Sequence, residues 1–191
     1  MNVNDVVTCI VARAPRAVLV SSLGTATSAV RLVTGDGPHL YFGAAMGSAL
    51  AGALGLAEAA PQREIIAVLG DGDFLMGSNS LWSTAFLHPP NLTVVVLADG
   101  RYTITGGQPL GGALQLAAVA EAMSGLRGVV ARSADDLALA LETRRGGKGT
   151  LVIEAELDER IWPGPSPFVD PTETVRSVRS NLAEGRQEHL A

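Results

Sequence analysis

The stretch "EIIAVLGDGDFLMG", residues 64–77, places an apolar run directly before an aspartate that lies between two glycines. A short, continuous apolar run of this kind is typical of a parallel strand that is buried on both faces. The glycines around Asp71 allow a tight turn and a close approach of an anion to the backbone amides. The Asp71 carboxylate is a hard oxygen ligand for a divalent cation. The stretch therefore predicts a strand whose carboxyl end carries a ligand site.

Further β-branched runs along the chain alternate with longer stretches, rich in Ala and Leu, of helical period. The predicted strands are 17–21, 64–70, 92–98, 127–132 and 150–156, and the predicted helices are 4–13, 25–33, 44–59, 77–87, 113–123, 134–144 and 171–183. This alternation indicates βαβ units. We therefore expect an α/β fold, a three-layer α/β/α sandwich around a mostly parallel sheet.

Length and composition predict one folded domain. The 191 residues, 47% of them hydrophobic, are enough for one well-filled core and too few for two ordinary domains. We expect the domain to cover residues 1–160. The remainder, 161–191, is predicted to be a Pro-rich segment with Pro163, Pro165 and Pro167 and then a polar C-terminal tail.

Charge and cysteine content exclude several functional classes. The net charge is −5 and no basic run is present, which argues against a nucleic-acid groove. A single cysteine, Cys9, excludes an internal disulfide and a multi-cysteine metal site. The first 20 residues carry Asp5 and two arginines within an apolar stretch, so they resemble neither a signal peptide nor a membrane span. We expect a soluble, cytoplasmic protein with no nucleic-acid or membrane partner.

The GDG tripeptide alone is a weak signal, because a tight turn with Asp71 as a helix cap would also explain it. A second copy in "TGDGP", residues 34–38, is followed by Pro38 and lacks a strong strand before it. We expect that copy to be a surface turn.

The surroundings of the first copy carry a family resemblance. After it come a helix-length stretch, the apolar run "NLTVVVL" and then "ADGRYTITGGQ" at 98–108. In this order the sequence resembles the diphosphate-binding domain of thiamine diphosphate (ThDP) enzymes, whose motif is GDG and, beyond one helix and one strand, a pair of asparagines. Asp71 and Asp99 are separated by 99 − 71 = 28 residues. Two adjacent parallel strands joined by one helix would bring both positions to one site.

The resemblance implies a magnesium site. Its protein ligands would be Asp71, Asp99 and the backbone carbonyl of Arg101, and the diphosphate would complete the octahedron with a water molecule. The chain departs from the family here, because Ala98 and Asp99 stand where the family has its asparagine pair. Asp99 adds a negative charge beside an anionic diphosphate, which would weaken cofactor affinity or make it more metal-dependent.

Two other stretches resemble the same domain. In "YFGAAMGSALAGALGLA", residues 41–57, Met46 matches the bulky residue that supports the bent cofactor, and the Ala44 carbonyl matches the acceptor for its 4′-amino group. Met46 precedes Asp71 by 71 − 46 = 25 residues, which fits the family pattern. In "VLVSSLGTATSAVRL", residues 18–32, backbone amides would hold the terminal phosphate. The full implied set of cofactor-binding residues is Gly24, Thr25, Ala44, Met46, Gly70, Gly72, Asp73, Phe74 and Tyr102.

The segment "TITGGQP", residues 103–109, is interpreted as a mobile loop over the active site. Gly106 and Gly107 would permit closure, and Tyr102, Thr105 and Gln108 would face the substrate. The alternative is that these residues merely complete a polar turn. Among ThDP enzymes the chain looks most like sulfopyruvate decarboxylase β subunits and phosphonopyruvate decarboxylase. Those relatives carry a basic and an acidic residue where this chain has Ala29-Val30, which leaves open how an anionic substrate tail would be bound.

The resemblance also implies a partner. ThDP enzymes activate the cofactor with a glutamate from a separate pyrimidine-binding domain, and Glu58, Glu64 and Glu121 lie in contexts that do not match it. We therefore expect no catalytic residue on this chain and a pyrimidine-binding α subunit as partner. The heteromer would contain two copies of each subunit or more.

The implied activity is that of a ThDP-dependent lyase, the decarboxylation of a small 2-oxo acid. A carboligase of the acyloin or acetolactate synthase kind remains open, as does a non-catalytic homologue with a decayed site. An oxoacid–ferredoxin oxidoreductase is disfavoured by the lack of cluster cysteines. An NAD-binding domain is excluded because Gly70, Gly72 and Gly77 do not form G-x-G-x-x-G.

Overall fold

Six parallel strands form the central sheet of the computed structural model, which describes residues 1–112, 114–159, 161, 163–164 and 170–187. The strands in chain order are β1 (Val18–Ser21), β2 (Leu40–Tyr41), β3 (Ile65–Gly70), β4 (Leu92–Ala98), β5 (Arg101–Tyr102), β6 (Gln108–Pro109), β7 (Leu126–Ala131) and β8 (Thr150–Glu156). The sheet has the order β2-β1-β3-β4-β8-β7, and β5 and β6 pair separately as an antiparallel hairpin. All five predicted strands are confirmed, and the two-residue strand β2 was not predicted.

Helices cover both faces of the sheet. They are α1 (Val3–Arg13), α2 (Gly24–Thr34), α3 (Ala49–Ala59), α4 (Asp71–Met76), α5 (Ser80–Leu87), α6 (Leu116–Glu121), α7 (Ala134–Thr143) and α8 (Pro171–Gln187). Residues of α1, α2 and α7 pack on one face, and residues of α3, α5, α6 and α8 pack on the other. Alternate residues of β3 enter the two cores, with Ile66 in the first and Ile65 in the second. The predicted three-layer α/β/α sandwich is thus confirmed.

Three helix boundaries differ from the prediction for local reasons. The helix predicted over 44–59 begins at Ala49, because Gly43 and Gly47 adopt positive φ angles of 77° and 89° that no helix accommodates. The helix predicted over 77–87 is replaced by α4 and α5, so the chain turns into a helix directly at Asp71. The helix predicted over 113–123 is observed at Leu116–Glu121, with Ala113 outside the described residues. Helix α7 has Ser133 as its N-cap, whose side chain accepts a hydrogen bond from the Asp136 amide.

The C-terminal helix packs on the domain. Helix α8 is longer than the predicted 171–183, and Val178 is buried in the core that also contains α3. Arg63 donates a hydrogen bond of 2.8 Å to the Asn181 carbonyl, which joins the helix to the loop before β3. Pro165 and Pro167 lie outside the described residues, so the predicted domain boundary near residue 160 stays a prediction. No helix in the described part of the chain is both long and apolar enough to span a membrane.

A buried histidine makes stability depend on pH. His39 is 8% exposed and its Nδ1 accepts a hydrogen bond of 3.1 Å from the Leu19 amide. Burial, with a smaller contribution from Arg31, lowers the pKa of His39 from 6.5 to about 4. The imidazole is therefore neutral in the folded chain over a range where the unfolded chain binds a proton.

We predict that His39 stabilises the fold above pH 6.5 and that this contribution is lost as the pH falls through about 4. The lost contribution is at most about 3 kcal/mol. Urea denaturation of the chain and of His39→Asn between pH 4 and pH 7.5 measures it. Asparagine retains an acceptor for the Leu19 amide but does not titrate, so its stability should depend less on pH. If the free energies of unfolding of the two proteins changed with pH in the same way, the prediction would be contradicted.

Candidate cofactor site

A cleft that is open to solvent lies at the carboxyl ends of β1, β3 and β4. Such strand ends are where open parallel sheets bind ligands. The predicted site residues that line it are Gly24, Thr25, Met46, Gly70, Asp71, Gly72, Asp73, Asp99, Arg101 and Tyr102. The structure therefore brings together four stretches that are far apart in sequence.

Asp71 is the most constrained carboxylate of the cleft. It is 3% exposed, and its two oxygens accept hydrogen bonds from the amides of Gly72 (2.8 Å) and Gly100 (2.7 Å). Burial raises the pKa of Asp71 to about 6, and the charge of Asp99 also raises it, against the lowering effect of these amides. A negative charge that is costly to bury and close to a second carboxylate is stabilised by a bound cation. The donor chemistry therefore fits a divalent metal ion.

Asp99 follows the end of β4, and its side chain accepts hydrogen bonds from the turn that comes next. Its Oδ1 accepts a hydrogen bond of 2.9 Å from the Arg101 amide, and its Oδ2 accepts one of 2.8 Å from the Thr103 hydroxyl. Among the residues that the structure describes, no group of three His, Cys, Asp or Glu side chains could hold a metal ion. A metal here would need the Arg101 carbonyl and ligand oxygens besides Asp71 and Asp99.

The start of α2 borders the same cleft. Helix α2 has 11 residues and no side-chain cap, so its first amides lack an intrahelical partner. Gly24, Thr25 and Ala26 at this end line the cleft. Gly24 has a φ of 67°, and a Cβ there would lie 3.2 Å from Cδ1 of Ile104. Free amides at a helix N-terminus suit a phosphate group, and this end of α2 fits a diphosphate beside the two carboxylates.

The remaining predicted cofactor residues occupy different environments. Met46 is half-buried at the cleft wall, whereas Ala44 is exposed and does not line the cleft. The Phe74 side chain is 2% exposed and packs in the core that contains α3. Tyr102 covers Gly72 closely, since a Cβ at Gly72 would lie 2.6 Å from the tyrosine ring.

Asp73 is bound on both of its oxygens by protein groups. The Ser22 hydroxyl donates to Oδ2 and the Gly47 amide donates to Oδ1. Burial raises the pKa of Asp73, while these two hydrogen bonds lower it. Ser22 was not predicted, although it follows the strand run "VLVS" and so lies at the carboxyl end of β1.

The predicted loop residues form an exposed hairpin beside the cleft. The Thr105 hydroxyl pairs with Oε1 of Gln108 at 3.0 Å, and Nε2 of Gln108 donates to the Thr105 carbonyl at 2.9 Å. Gly106 and Gly107 have positive φ angles of 122° and 75°. The Arg101 guanidinium donates to the Gly107 carbonyl at 2.8 Å, which ties the hairpin tip to the cleft. None of the four loop residues lines the cleft, which Thr103 and Ile104 border instead.

Comparison with known protein families identifies the domain that contains this cleft. Residues 22–155 match "Thiamine pyrophosphate enzyme, C-terminal TPP binding domain". The chain belongs to this family. The resemblance inferred from the sequence is thereby confirmed, and so is thiamine diphosphate as the cofactor of the domain. The predicted roles of individual site residues stay predictions.

Two curated relatives are informative for this thiamine diphosphate-binding domain. It is 36% identical over 175 residues to a phosphonopyruvate decarboxylase of Streptomyces viridochromogenes, covering 90% of this chain and 44% of that protein. It is 35% identical over 140 residues to the sulfopyruvate decarboxylase subunit beta of Methanothermobacter thermautotrophicus, covering 66% of this chain and 74% of that subunit. The chain therefore spans less than half the length of the first relative.

The fold also matches a solved structure. The thiamine diphosphate-dependent 4-hydroxybenzoylformate decarboxylase of Rhodococcus jostii RHA1 superposes with a TM-score of 0.65 at 23% identity. The match covers 84% of this chain and 33% of that enzyme. At this identity the likeness shows the fold alone.

The electrostatic interaction between the Asp71 and Asp99 carboxylates gives a prediction. Asp99→Asn removes a neighbouring negative charge, so the pKa of Asp71 should fall below its value of about 6. Carboxyl ¹³C NMR titration of the chain measures this pKa directly. Asp36→Asn is the matched control, because Asp36 is the exposed aspartate of the second GDG and should leave Asp71 unchanged. An unchanged pKa in Asp99→Asn would show that the two carboxylates do not interact.

Proposed function

We propose that this chain is the diphosphate- and magnesium-binding subunit of a two-component ThDP-dependent 2-oxo acid decarboxylase. The observation that carries the proposal is the shared cleft of Asp71, Asp99 and the uncapped start of α2. Two carboxylates beside a row of free amides suit a metal-bound diphosphate and few other ligands. The curated relatives named as decarboxylases support the reaction class.

In this proposal each part of the cleft has one task. Asp71, Asp99 and the Arg101 carbonyl hold Mg²⁺, and the amides of Gly24 and Thr25 hold the terminal phosphate. Met46 would support the cofactor, and the hairpin of β5 and β6 would border the substrate. When bound, thiamine diphosphate supplies the electron sink for loss of carbon dioxide from a 2-oxo acid. The chain itself binds and orients the cofactor.

A partner subunit is proposed because the described residues that line the cleft include no glutamate. The family resemblance requires a glutamate at the cofactor, and no glutamate is among the described residues that line the cleft. Glu64 pairs with Arg144, Glu121 accepts a hydrogen bond from the Gly128 amide at 2.7 Å, and Glu58 is exposed on α3. One relative is itself named a beta subunit, which supports an α subunit as the source of the glutamate.

An exposed apolar surface also supports a partner. Met76, Trp82 and Phe86 on α4 and α5 are 60%, 63% and 84% exposed. Large apolar side chains of neighbouring helices that face water together mark interaction surfaces. Helix α4 begins at Asp71, so a partner that covered α4 would lie next to the cleft. We propose that the pyrimidine-binding subunit covers this surface.

The substrate is proposed as a small 2-oxo acid. Relatives carry charged residues where this chain has Ala29 and Val30, and both of these are fully buried here. They therefore cannot bind an anionic substrate tail. Arg101 is the charged residue of the hairpin that also lines the cleft, and its guanidinium donates to the Gly107 carbonyl. Product analysis of the assembled enzyme distinguishes release of an aldehyde from carboligation to an acceptor.

Calorimetric titration of ThDP and Mg²⁺ tests the proposal. It is carried out on the chain alone and on the chain co-expressed with the proposed α subunit. We expect binding to appear or strengthen in the complex, because the partner closes the open cleft. Asp71→Asn should lower Mg²⁺-dependent affinity at least about tenfold, or ~1.4 kcal/mol. Asp36→Asn is the control and should bind like the original chain. Absence of binding in both states would contradict the proposal and favour a non-catalytic homologue.

The role of Met46 is tested separately in the assembled enzyme. Met46→Ala should lower turnover by about ten- to hundredfold, because small misplacements of reacting groups are costly, and should change ThDP affinity much less. Met46→Leu, of similar volume, should retain most of the turnover. Steady-state kinetics and calorimetry give the two quantities. Equal losses of turnover and affinity would indicate that Met46 is an ordinary packing residue.

A further inference from the structure

The loop that carries Met46 is joined to the rest of the cleft through one buried carboxylate. Residues 42–48 connect β2 to α3, and Gly43, Ala44 and Ala45 within the loop are exposed. At its start the Phe42 amide donates to the Ser21 carbonyl at 3.1 Å. At its end the Gly47 amide donates to Oδ1 of Asp73. The position of Met46 therefore depends on what holds Gly47.

Asp73 connects three elements at once. Its backbone belongs to α4, its Oδ1 binds the Met46 loop, and its Oδ2 binds Ser22 at the end of β1. The side chain is 6% exposed, so these contacts are shielded from water. Hydrogen bonds to a charged acceptor in such surroundings are among the stronger ones in proteins.

A second contact holds the same loop against the same helix. A Cβ at Gly77 would lie 2.2 Å from the Gly47 carbonyl oxygen, so the two backbones touch directly. The Gly77 amide donates to the Asp73 carbonyl at 3.1 Å, which places both contacts on one helical turn. Gly47 has a φ of 89°, a conformation that side chains rarely adopt. The Gly47 amide thus donates to Asp73 of α4, and the Gly47 carbonyl packs against Gly77 at the end of that helix.

We infer that Asp73 is a positioning residue, a latch that fixes the Met46 loop and the end of β1 against α4. Asp71 and Asp73, which belong to one short motif, then have different roles. Asp71 turns its oxygens to Gly72 and Gly100 at the metal side, and Asp73 turns its oxygens to Ser22 and Gly47. The meaning of the latch for catalysis rests on the proposed function of Met46, whereas the latch itself is a property of the chain without cofactor.

Hydrogen exchange of the full chain without cofactor tests the latch. Asp73→Ala should speed amide exchange in residues 43–48 by about ten- to hundredfold, the loss expected for hydrogen bonds to a charged group. Ser22→Ala should leave the Gly47 contact in place and speed exchange chiefly around residues 21–24. Asp73→Asn retains an oxygen for the Gly47 amide and should restore most of the protection. Asp71→Asn is the matched control and should leave residues 43–48 unchanged.

The Gly47 amide resonance gives a readout that does not depend on a destabilised variant. Loss of the carboxylate charge in Asp73→Asn should move the Gly47 amide proton upfield in ¹H–¹⁵N spectra, and Asp71→Asn should not. An unmoved resonance in Asp73→Asn, or unchanged exchange of residues 43–48 in Asp73→Ala, would overturn the latch. Tighter ThDP binding by Asp73→Asn with an unmoved Gly47 resonance would assign the carboxylate to the cofactor instead.

A double-mutant cycle in the assembled enzyme links the latch to Met46. If Asp73 acts through Met46, the turnover losses of Asp73→Ala and Met46→Ala should combine to much less than their product. Fully multiplicative losses would contradict that link. Failure of the proposed function would appear as absent ThDP binding and would leave the Gly47 readouts intact. Failure of the latch would leave the ThDP titration intact.

Discussion

The parallel pairing of β3 with β4 is the constraint on which the site depends. The register sets Gly70 opposite Leu97, so both strands end at the same level of the sheet. Asp71 and Asp99 follow these ends directly, and the Gly100 amide reaches across to Asp71 at 2.7 Å. A shift of the register by one residue would turn the side chains of one strand to the opposite face. The two cores on either side of the sheet thus fix the distance between the two carboxylates.

Electrostatics explains why so polar an edge is stable in an apolar fold. Asp71 and Asp73 are both buried, and burial raises the pKa of each. Backbone amides and the Ser22 hydroxyl compensate both carboxylates, because a buried charge without hydrogen bonds would cost several kcal/mol. The two differ in their neighbours. Asp71 also faces the charge of Asp99, so this pair carries the less compensated charge of the cleft.

The sequence predicted the sheet better than the helices. Continuous apolar runs such as "LTVVVLA" arise only where a strand is covered on both faces, and all five predicted strands are observed. Helix starts near Gly43 and Gly77 were misplaced, because small residues fit a helix pattern while positive φ and backbone contact forbid it. Ten of the residues that line the cleft were predicted from motif order. The partners of Asp73 were not, because Ser22 and Gly47 meet it through loops whose contacts leave no periodic pattern.

The two aspartates of one short motif show how tertiary contacts decide a residue's role. In sequence, Asp71 and Asp73 stand in the same glycine-rich turn, and either could be a ligand. Because α4 begins at Asp71, the two side chains leave the helix in different directions within its first turn. One direction leads to the turn after β4 and the other leads to the loop before α3. A chain that binds its cofactor at one aspartate can therefore shape the cofactor's surroundings with the other.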